Sequence, residues 1–390
     1  MKALLFERRP ARFAAATVAG AVVPGGGARV GPLRLADVDA PSPPGAGWHR
    51  VRPRLAGICG SDLATIDGHA SRWFEPIVSF PFVPGHEVVG DLDDGRRVVI
   101  QAVLACAARG IDPPCRACAS GSTGNCERIA FGDLEPGLQT GFCADTGGGW
   151  ALAMIAHDSQ LHVVPDDLSD ETAVMVEPAA CAVHAVGSAG VEDGDTVVVI
   201  GAGTLGLCTV AALRGHASPG TVVVAARYPE QRRLARELGG DVVAEAGELR
   251  RAVRRVTGSL AIGDGDIDRL TAGADVVFDC AGTEDSLDEA LAVVRPRGRI
   301  VLVGMPGVVS VDLTPLWQRE IALVGAYTYR HDTFAAAVVL ARTARLDRLV
   351  SATYPLDRYA DAIAHAAAAG RRGAVKIAFD MRRERERERL

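Results

Sequence analysis

The stretch "DTVVVIGAGTLGLCTVAALRG", residues 195–215, restricts the fold of this chain more than any other. A short β-rich run, Thr196 to Ile200, leads into Gly201-Ala202-Gly203-Thr204-Leu205-Gly206, which matches G-x-G-x-x-G, and an apolar helical segment follows. The motif is weak alone and becomes specific in this strand–turn–helix setting. The first glycine permits the tight turn, the second lets a pyrophosphate approach the backbone, and the third lets helix and strand pack closely. Free N–H groups at the helix start then face the phosphates. A bare turn with no ligand is the bland alternative, and the flanking strand and helix weigh against it.

The same texture continues downstream. "TVVVAARYPEQRRLARELGGD" repeats strand then helix, and "ADVVFDCAG", "GRIVLVGMPG" and "EIALVGAY" are further apolar runs ending in turns. Apolar strands alternating with helices indicate a parallel sheet covered on both faces. Residues 1 to about 180 read differently: rich in Gly and Pro, with short β-like runs at Arg50–Leu55, Val88–Leu92, Arg97–Val103 and Leu161–Val164, a mostly β domain with long loops. The largely apolar Phe13–Val23 stretch, Ala-rich and ending at Pro24 and three glycines, is read as strand and loop rather than a targeting segment. "DTFAAAVVLARTARLD" and "YADAIAHAAAAG" are expected helices, "AVKIAFD" a closing strand, and "MRRERERERL" a charged tail without a role in the core.

With 48% hydrophobic and 23% charged residues, the chain can bury a substantial core. A formal charge of −6 argues against a nucleic-acid or anionic-membrane surface. No run approaches the ~20 apolar residues of a membrane helix, so a cytoplasmic protein is expected.

In dinucleotide sites an acid about 20 residues past the glycine loop holds the ribose hydroxyls. Here that count ends at Ala226, followed by Arg227 and Tyr228. A carboxylate would repel a 2′-phosphate, whereas an arginine fork can grip it. NADP is therefore expected ahead of NAD, with Arg227 as the phosphate clamp and Tyr228 against the adenine. If Arg227 is merely solvated, NAD remains open.

Four of the nine cysteines crowd into residues 106 to 126. Cys115-x2-Cys118-x7-Cys126 has zinc-site spacing, and Cys106 is the candidate fourth thiolate of a closed structural site, although eight residues separate it from Cys115. A disulfide or free thiols are the alternatives. Elsewhere, "AGICGSDLATIDG" places Cys59 in a turn before Ser61 and Asp62, "FPFVPGHEVVG" places His86 beside Glu87, and "VEPAACAVHAVG" places Glu177 before a proline. Cys, His and carboxylate form the ligand set of a catalytic zinc that keeps one position open. Glu177 could instead complement a helix dipole, and Asp62 could orient a ligand or cap its loop.

Taken together, G-x-C-G-S-D, G-H-E-x-x-G, the cysteine lobe, the E-P pair and the glycine loop, in this order, resemble the zinc-dependent medium-chain dehydrogenase/reductase superfamily over nearly the whole chain. The resemblance implies an α/β protein: a GroES-like mostly β catalytic domain plus a Rossmann domain with a doubly wound parallel sheet. The expected partition is 1–185 catalytic, with a structural-zinc lobe at about 104–128, then 186–326 nucleotide-binding, 327–381 returning to the catalytic domain, and 382–390 a disordered tail. It implies a catalytic zinc at Cys59 and His86, with Glu87 and Glu177 as alternating or water-bridged carboxylates. Glu177 stands where alcohol dehydrogenases carry a cysteine, which points to the polyol and sugar branch.

The resemblance also makes Ser61 a proton relay to the cofactor ribose. The histidine that many relatives carry five residues after the zinc cysteine is Ala64 here, so the relay is shortened or uses water. It places the nicotinamide against backbone at Cys280-Ala281-Gly282 and Val303-Gly304-Met305. Trp73, Phe74 and Tyr329 are candidate substrate walls, and the other histidines are read as loop or surface residues without partners. Cys143, Cys181, Cys208 and Cys280 are read as small buried hydrophobes.

The expected activity is reversible hydride transfer between NADP(H) and a secondary alcohol, polyol or sugar-derived substrate, with zinc as Lewis acid, in a homodimer or homotetramer. Two alternatives stay open: an NAD-linked threonine- or polyol-type dehydrogenase of the same fold, and a non-catalytic zinc- and nucleotide-binding protein.

Overall fold

The computed structural model describes residues 1–263, 269–305 and 307–382. The chain forms two compact units: Met1–Glu177 together with the chain from Arg330 onward, and Pro178–Tyr329. The first break falls inside the helix Val176–Ala189, between Glu177 and Pro178.

In the first unit a seven-stranded sheet is built around Trp48–Gly57. This strand pairs antiparallel with Val88–Leu92, Met154–His157 and Lys376–Asp380. Pro53 cannot donate to a ladder, and the pairing with Val88–Leu92 slips between Pro53 and Leu55, the kind of bulge that admits a proline inside a sheet. The C-terminal strand returns hundreds of residues later to set Ala378 opposite Gly57 and Phe379 opposite Ala56. That register carries Lys376 next to the end of the strand that leads into Cys59.

Two expectations are corrected in this unit. Residues Pro10–Val22 form an α-helix, not strand and loop. Pro10 sits at the helix start, where its fixed φ suits the first turn, and the alanines that follow are the strongest helix formers. This helix lies in the connection between the antiparallel strands Lys2–Phe6 and Leu33–Asp37. Second, Asp170–Ala189 is long and apolar enough by composition to cross a membrane, and it is 78% buried within the protein, as a core helix is.

Most of the charged tail lies outside the described residues. Its first residue, Arg382, is engaged: its guanidinium donates to Asp380 and to the buried Asp170, which also accepts from Arg54 and Arg97.

The second unit holds a six-stranded sheet in the order Val242–Ala244, Thr221–Ala225, Thr196–Ile200, Ala274–Asp279, Val294–Leu302, Ala322–Gly325. Every adjacent pair is parallel. Val197, Val198, Val199, Val276, Val277 and Phe278 are fully buried, as strands covered on both faces require. The strand order reverses between Thr196–Ile200 and Ala274–Asp279, the place where sheets of this type open a crevice at their carboxyl ends.

The glycine loop fills that place. Gly201 has φ +90°, a left-handed conformation that favours glycine. Gly206 lies inside the helix Thr204–His216, and a side chain there would run into the Gly201 carbonyl oxygen. Gly206→Ala is therefore expected to cost about 1–3 kcal/mol, read as a lower denaturant midpoint. An unchanged midpoint would mean that helix and strand are not packed this closely.

Candidate functional site

Cys59 is the N-cap of the helix Gly60–Ile66. The third helical residue, Asp62, accepts the Cys59 backbone N–H on Oδ2 at 2.9 Å. Its other oxygen, Oδ1, faces His86 Nδ1 at 3.5 Å. Neither atom has a hydrogen-bond partner among the described residues, and both are buried. Both roles read for Asp62 thus coexist, one on each oxygen: one caps the loop and the other stands behind the imidazole. Burial opposes charging of His86, but the adjacent Asp62 carboxylate, with smaller help from Cys59, reverses that and raises the imidazole pKa.

His86 follows Gly85, whose φ is +99° and whose missing side chain makes room for Trp150. The Trp150 indole in turn donates to the Gly57 carbonyl at 3.1 Å. Phe142 packs against the imidazole, with ring centroids 5.9 Å apart.

One ligand atom from each of Cys59, His86 and Glu87 lies within 4.8 Å of the others. Glu87 also meets a cation absent from the sequence reading. Lys376 Nζ donates to both Glu87 oxygens at 2.6 Å and to the Ile58 carbonyl at 3.3 Å. Burial lowers the Lys376 pKa, but Glu87, with smaller help from Cys59 and Glu177, reverses that and raises it. Glu177 is itself buried, in the first turn of Val176–Ala189, and close enough for its charge to act on Lys376.

The donor set fits a divalent cation. A thiol, an imidazole and carboxylates combine soft, borderline and hard donors around one point. Asp62, Glu87, Glu177 and Lys376 are all buried, and uncompensated buried charge is costly. Ser61 is half-buried in the first turn of the helix Gly60–Ile66, and Ala64 is half-buried further along it. Trp73 is 82% exposed, Phe74 packs against the core, and Tyr329 is 1% exposed.

The cysteine lobe forms a second cluster. Sulfur atoms of Cys106, Cys115, Cys118 and Cys126 lie within 4.8 Å of one another, so the long gap before Cys115 does not keep Cys106 away. Cys106 and Cys126 are 3.7 Å apart, well beyond the ~2.05 Å of a bonded pair. Backbone N–H groups of Cys118 and Glu127 donate to Cys115 Sγ and outweigh its burial, bringing its pKa down to about 7. Burial pushes Cys118 up and Cys126 up to about 11. Four thiols crowded together can all ionise only around a cation.

Arg109, which no motif singles out, is fully buried beside the lobe. Its guanidinium donates to the carbonyls of Leu104, Phe131, Leu134, Glu135 and Gly137, tying the lobe's flanks together.

In the second unit, Gly203 caps the helix after the loop, and a side chain there would meet nothing within 4 Å, which leaves the open approach that a pyrophosphate needs. Thr204 and Leu205 are half-buried at the helix start. Arg227 is exposed just beyond the strand Thr221–Ala225, and Tyr228 caps the helix Pro229–Glu237. Arg232 donates to the Arg227 carbonyl at 2.9 Å and pairs with Glu245.

Asp279, also missed, pins the loops at the strand ends. It accepts the N–H groups of Ala281 and Gly282 and the Ser286 hydroxyl, and its carbonyl accepts from Val303 and Gly304. The Cys280 thiol faces Thr209 Oγ1 at 3.6 Å, and burial pushes its pKa up to about 12, so its side chain packs while its backbone stays at the loop.

The expectation of partnerless histidines is corrected. His49 meets Asp158, His157 meets Ser159, His162 meets Gln101 and His365 meets Tyr354, all within 3.0 Å. These partners lie close in the fold or in short turns, and no spacing rule reveals them.

Residues 45–166 match the family "Alcohol dehydrogenase GroES-like domain", and residues 204–343 match "Zinc-binding dehydrogenase". A sorbitol dehydrogenase of Arabidopsis thaliana is 30% identical over 308 residues, covering 74% of this chain and 76% of that protein. A solved structure from Sinorhizobium meliloti 1021, described as a zinc-binding dehydrogenase bound to NADP, superposes with a TM-score of 0.71 at 26% identity, covering 89% of this chain and 96% of the other. An alcohol dehydrogenase, RspB, from Escherichia coli CFT073 in complex with NADH shares the fold, with a TM-score of 0.73 at 24% identity over 97% of this chain and 99% of the other.

Proposed function

The chain belongs to the zinc-binding dehydrogenases of the medium-chain dehydrogenase/reductase superfamily, and from that premise we propose that it oxidises a secondary alcohol, polyol or sugar-derived substrate with NADP, reversibly. The observation that carries this reading is the convergence of Cys59, His86 and Glu87 within 4.8 Å in a buried setting. Cys59 and His86, with a carboxylate from Glu87 or Glu177, would hold a zinc ion. Bound there, zinc supplies Lewis acidity toward a substrate oxygen.

The protein's own groups do the rest. Asp62 orients His86 from behind while bracing the Cys59 turn. Trp150 fills the space over Gly85 and Phe142 packs against the imidazole. Ser61, in the first turn of the helix, would relay the substrate hydroxyl proton, accepting it while passing its own on through the cofactor ribose to solvent, as hydride leaves the carbinol carbon for the nicotinamide. The four cysteines Cys106, Cys115, Cys118 and Cys126 would hold a second, structural zinc with no open position.

NADP is favoured over NAD by Arg227, an exposed guanidinium where NAD sites carry an acid. Losing one charge-assisted phosphate contact costs about 1.5–3 kcal/mol, or roughly 10- to 100-fold. Arg227→Ala is expected to lower kcat/KM with NADP by that factor and leave kcat/KM with NAD nearly unchanged. Steady-state kinetics with both cofactors measure it, and equal losses for both would remove Arg227 from phosphate recognition.

A homodimer or homotetramer is proposed through the edge strand Ala322–Gly325, which carries no charged residue and has Leu323 exposed, near the exposed Trp317 and Leu313. Such edges invite pairing with a second copy. The activity itself is tested by a panel of polyols, sugars and secondary alcohols followed by NADPH absorbance, with and without a chelator. Turnover insensitive to chelation, or strict dependence on NAD, would contradict the proposal.

A further inference from the structure

We propose that Asp67 is a positioning residue. With the glycine-rich segment 25–27 it forms a clasp that fixes the far end of the helix Gly60–Ile66, and so holds Ser61 in place for proton relay. This rests on the activity proposed above, in which Ser61 takes part.

Asp67 caps the carboxyl end of that helix, where its N–H donates to the Leu63 carbonyl at 2.9 Å. Acids are favoured at helix starts and disfavoured at helix ends, where the peptide dipoles present negative charge. Asp67 is also 6% exposed, and no cation pairs with it among the described residues. A carboxylate in that position costs stability unless something answers it. The answer comes from backbone: Gly25 N–H donates to Oδ2 at 2.7 Å and Gly27 N–H to Oδ1 at 2.9 Å. Gly25 has φ +83°, the left-handed turn that lets nearby N–H groups converge on one anion.

Both donors belong to the connection between Lys2–Phe6 and Leu33–Asp37, the same connection that carries the helix Pro10–Val22. The fit is close at several points. A side chain at Gly20 would strike Asp67 Cβ at 2.6 Å, and one at Gly27 would strike the Ile66 carbonyl oxygen at 2.1 Å. On the other side, a side chain at Gly25 would meet Ala367 and the Ile363 carbonyl of the helix Tyr359–Ala367. The connection is thus wedged between that helix and the end of Gly60–Ile66.

A helix of seven residues does not hold itself in place, since isolated helices below ~12–15 residues are marginal in water. Its placement comes from its attachments. At the start, Asp62 holds the Cys59 backbone. Along the inner side, Ile66 is buried and Leu63 packs against the core. At the far end stands the clasp. The Ser61 hydroxyl has no hydrogen-bond partner among the described residues, and the Ser61 carbonyl accepts from Thr65 Oγ1 at 2.9 Å. The aim of the hydroxyl therefore follows the placement of the helix.

The test is a double-mutant cycle on the full-length protein, with kcat and KM measured for sorbitol, xylitol and isopropanol with NADP. Asp67→Ala is expected to lower kcat about tenfold or more, with KM for NADP and zinc content unchanged. Gly27→Ala opens the same clasp from the other side and should give the same loss. The two together should fall within about twofold of either alone. In a Ser61→Ala background, Asp67→Ala should lower kcat further by no more than about twofold. An acid with a purely structural role would cost the same in both backgrounds.

The inference is overturned if Asp67→Ala keeps the native kcat, or if its loss adds in full to that of Ser61→Ala. If Asp67→Ala does not fold, Gly27→Ala with and without Ser61→Ala decides in the same way. If Ser61→Ala itself keeps the native kcat, the relay falls and this inference with it. Absence of turnover by the native protein on all three alcohols would overturn the activity proposal, and the role of the clasp in it.

Discussion

Cys59→Ser is expected to lower kcat by roughly a thousandfold or more while leaving the protein folded. Loss of Lewis-acid assistance to a substrate oxygen is worth several kcal/mol, and each 1.36 kcal/mol is tenfold in rate. The substitution separates chemistry from structure because serine is among the preferred N-cap residues. The helix Gly60–Ile66 keeps its start, and Asp62 keeps its bond to the backbone N–H of residue 59. Circular dichroism and thermal midpoint should therefore change little, while metal content falls by one ion per chain. Kinetics and metal analysis on one preparation check this together. Full turnover in the serine variant would remove Cys59 from the site, and an unfolded variant would show that the thiol supports the fold.

The second large effect lies in the cysteine lobe. Cys118→Ser is expected to release the other metal ion and open the segment around residues 104–128 to proteolysis, with cleavage there at least about tenfold faster. Structural zinc contributes about 10–16 kcal/mol in small zinc-dependent folds. The lobe has little to replace it, since its apolar support is a small cluster of Leu104, Ala108, Leu134 and Cys143 against Trp48. Arg109 should keep the flanks attached through its carbonyl contacts, so opening is expected to be local. Mass spectrometry of the first fragments reads it out. Cleavage confined to other loops would show that the lobe stands without metal.

The nucleotide-binding unit was legible because its signals are local. Glycines at fixed offsets between Thr196–Ile200 and Thr204–His216 state strand, turn and helix without help from distant residues. His86, Glu87 and the four cysteines were legible for a related reason, as residue types that a core does not otherwise need to crowd together. The strand Arg97–Ile100 ended before the expected Val103, because the alternation that suggests a strand does not say where its pairing partner stops.

What stayed hidden depends on long-range register. Lys376 reads as one more residue in "AVKIAFD", and only the pairing of Ala378 with Gly57 brings it to Glu87. Arg109 acquires meaning only when five carbonyls from residues 104 to 137 turn toward it. The helix Pro10–Val22 was obscured because its exposed face is itself apolar: Phe13, Val18 and Val22 remain exposed, so no polar stripe marks a helical period.

The most direct test of the metal centre is anomalous diffraction at the zinc edge from crystals of the full-length protein grown without added metal. Two peaks per chain are expected, one among Cys106, Cys115, Cys118 and Cys126 and one bounded by Cys59 and His86. A peak in the cysteine lobe with none beside Cys59 and His86 would contradict the catalytic centre proposed here.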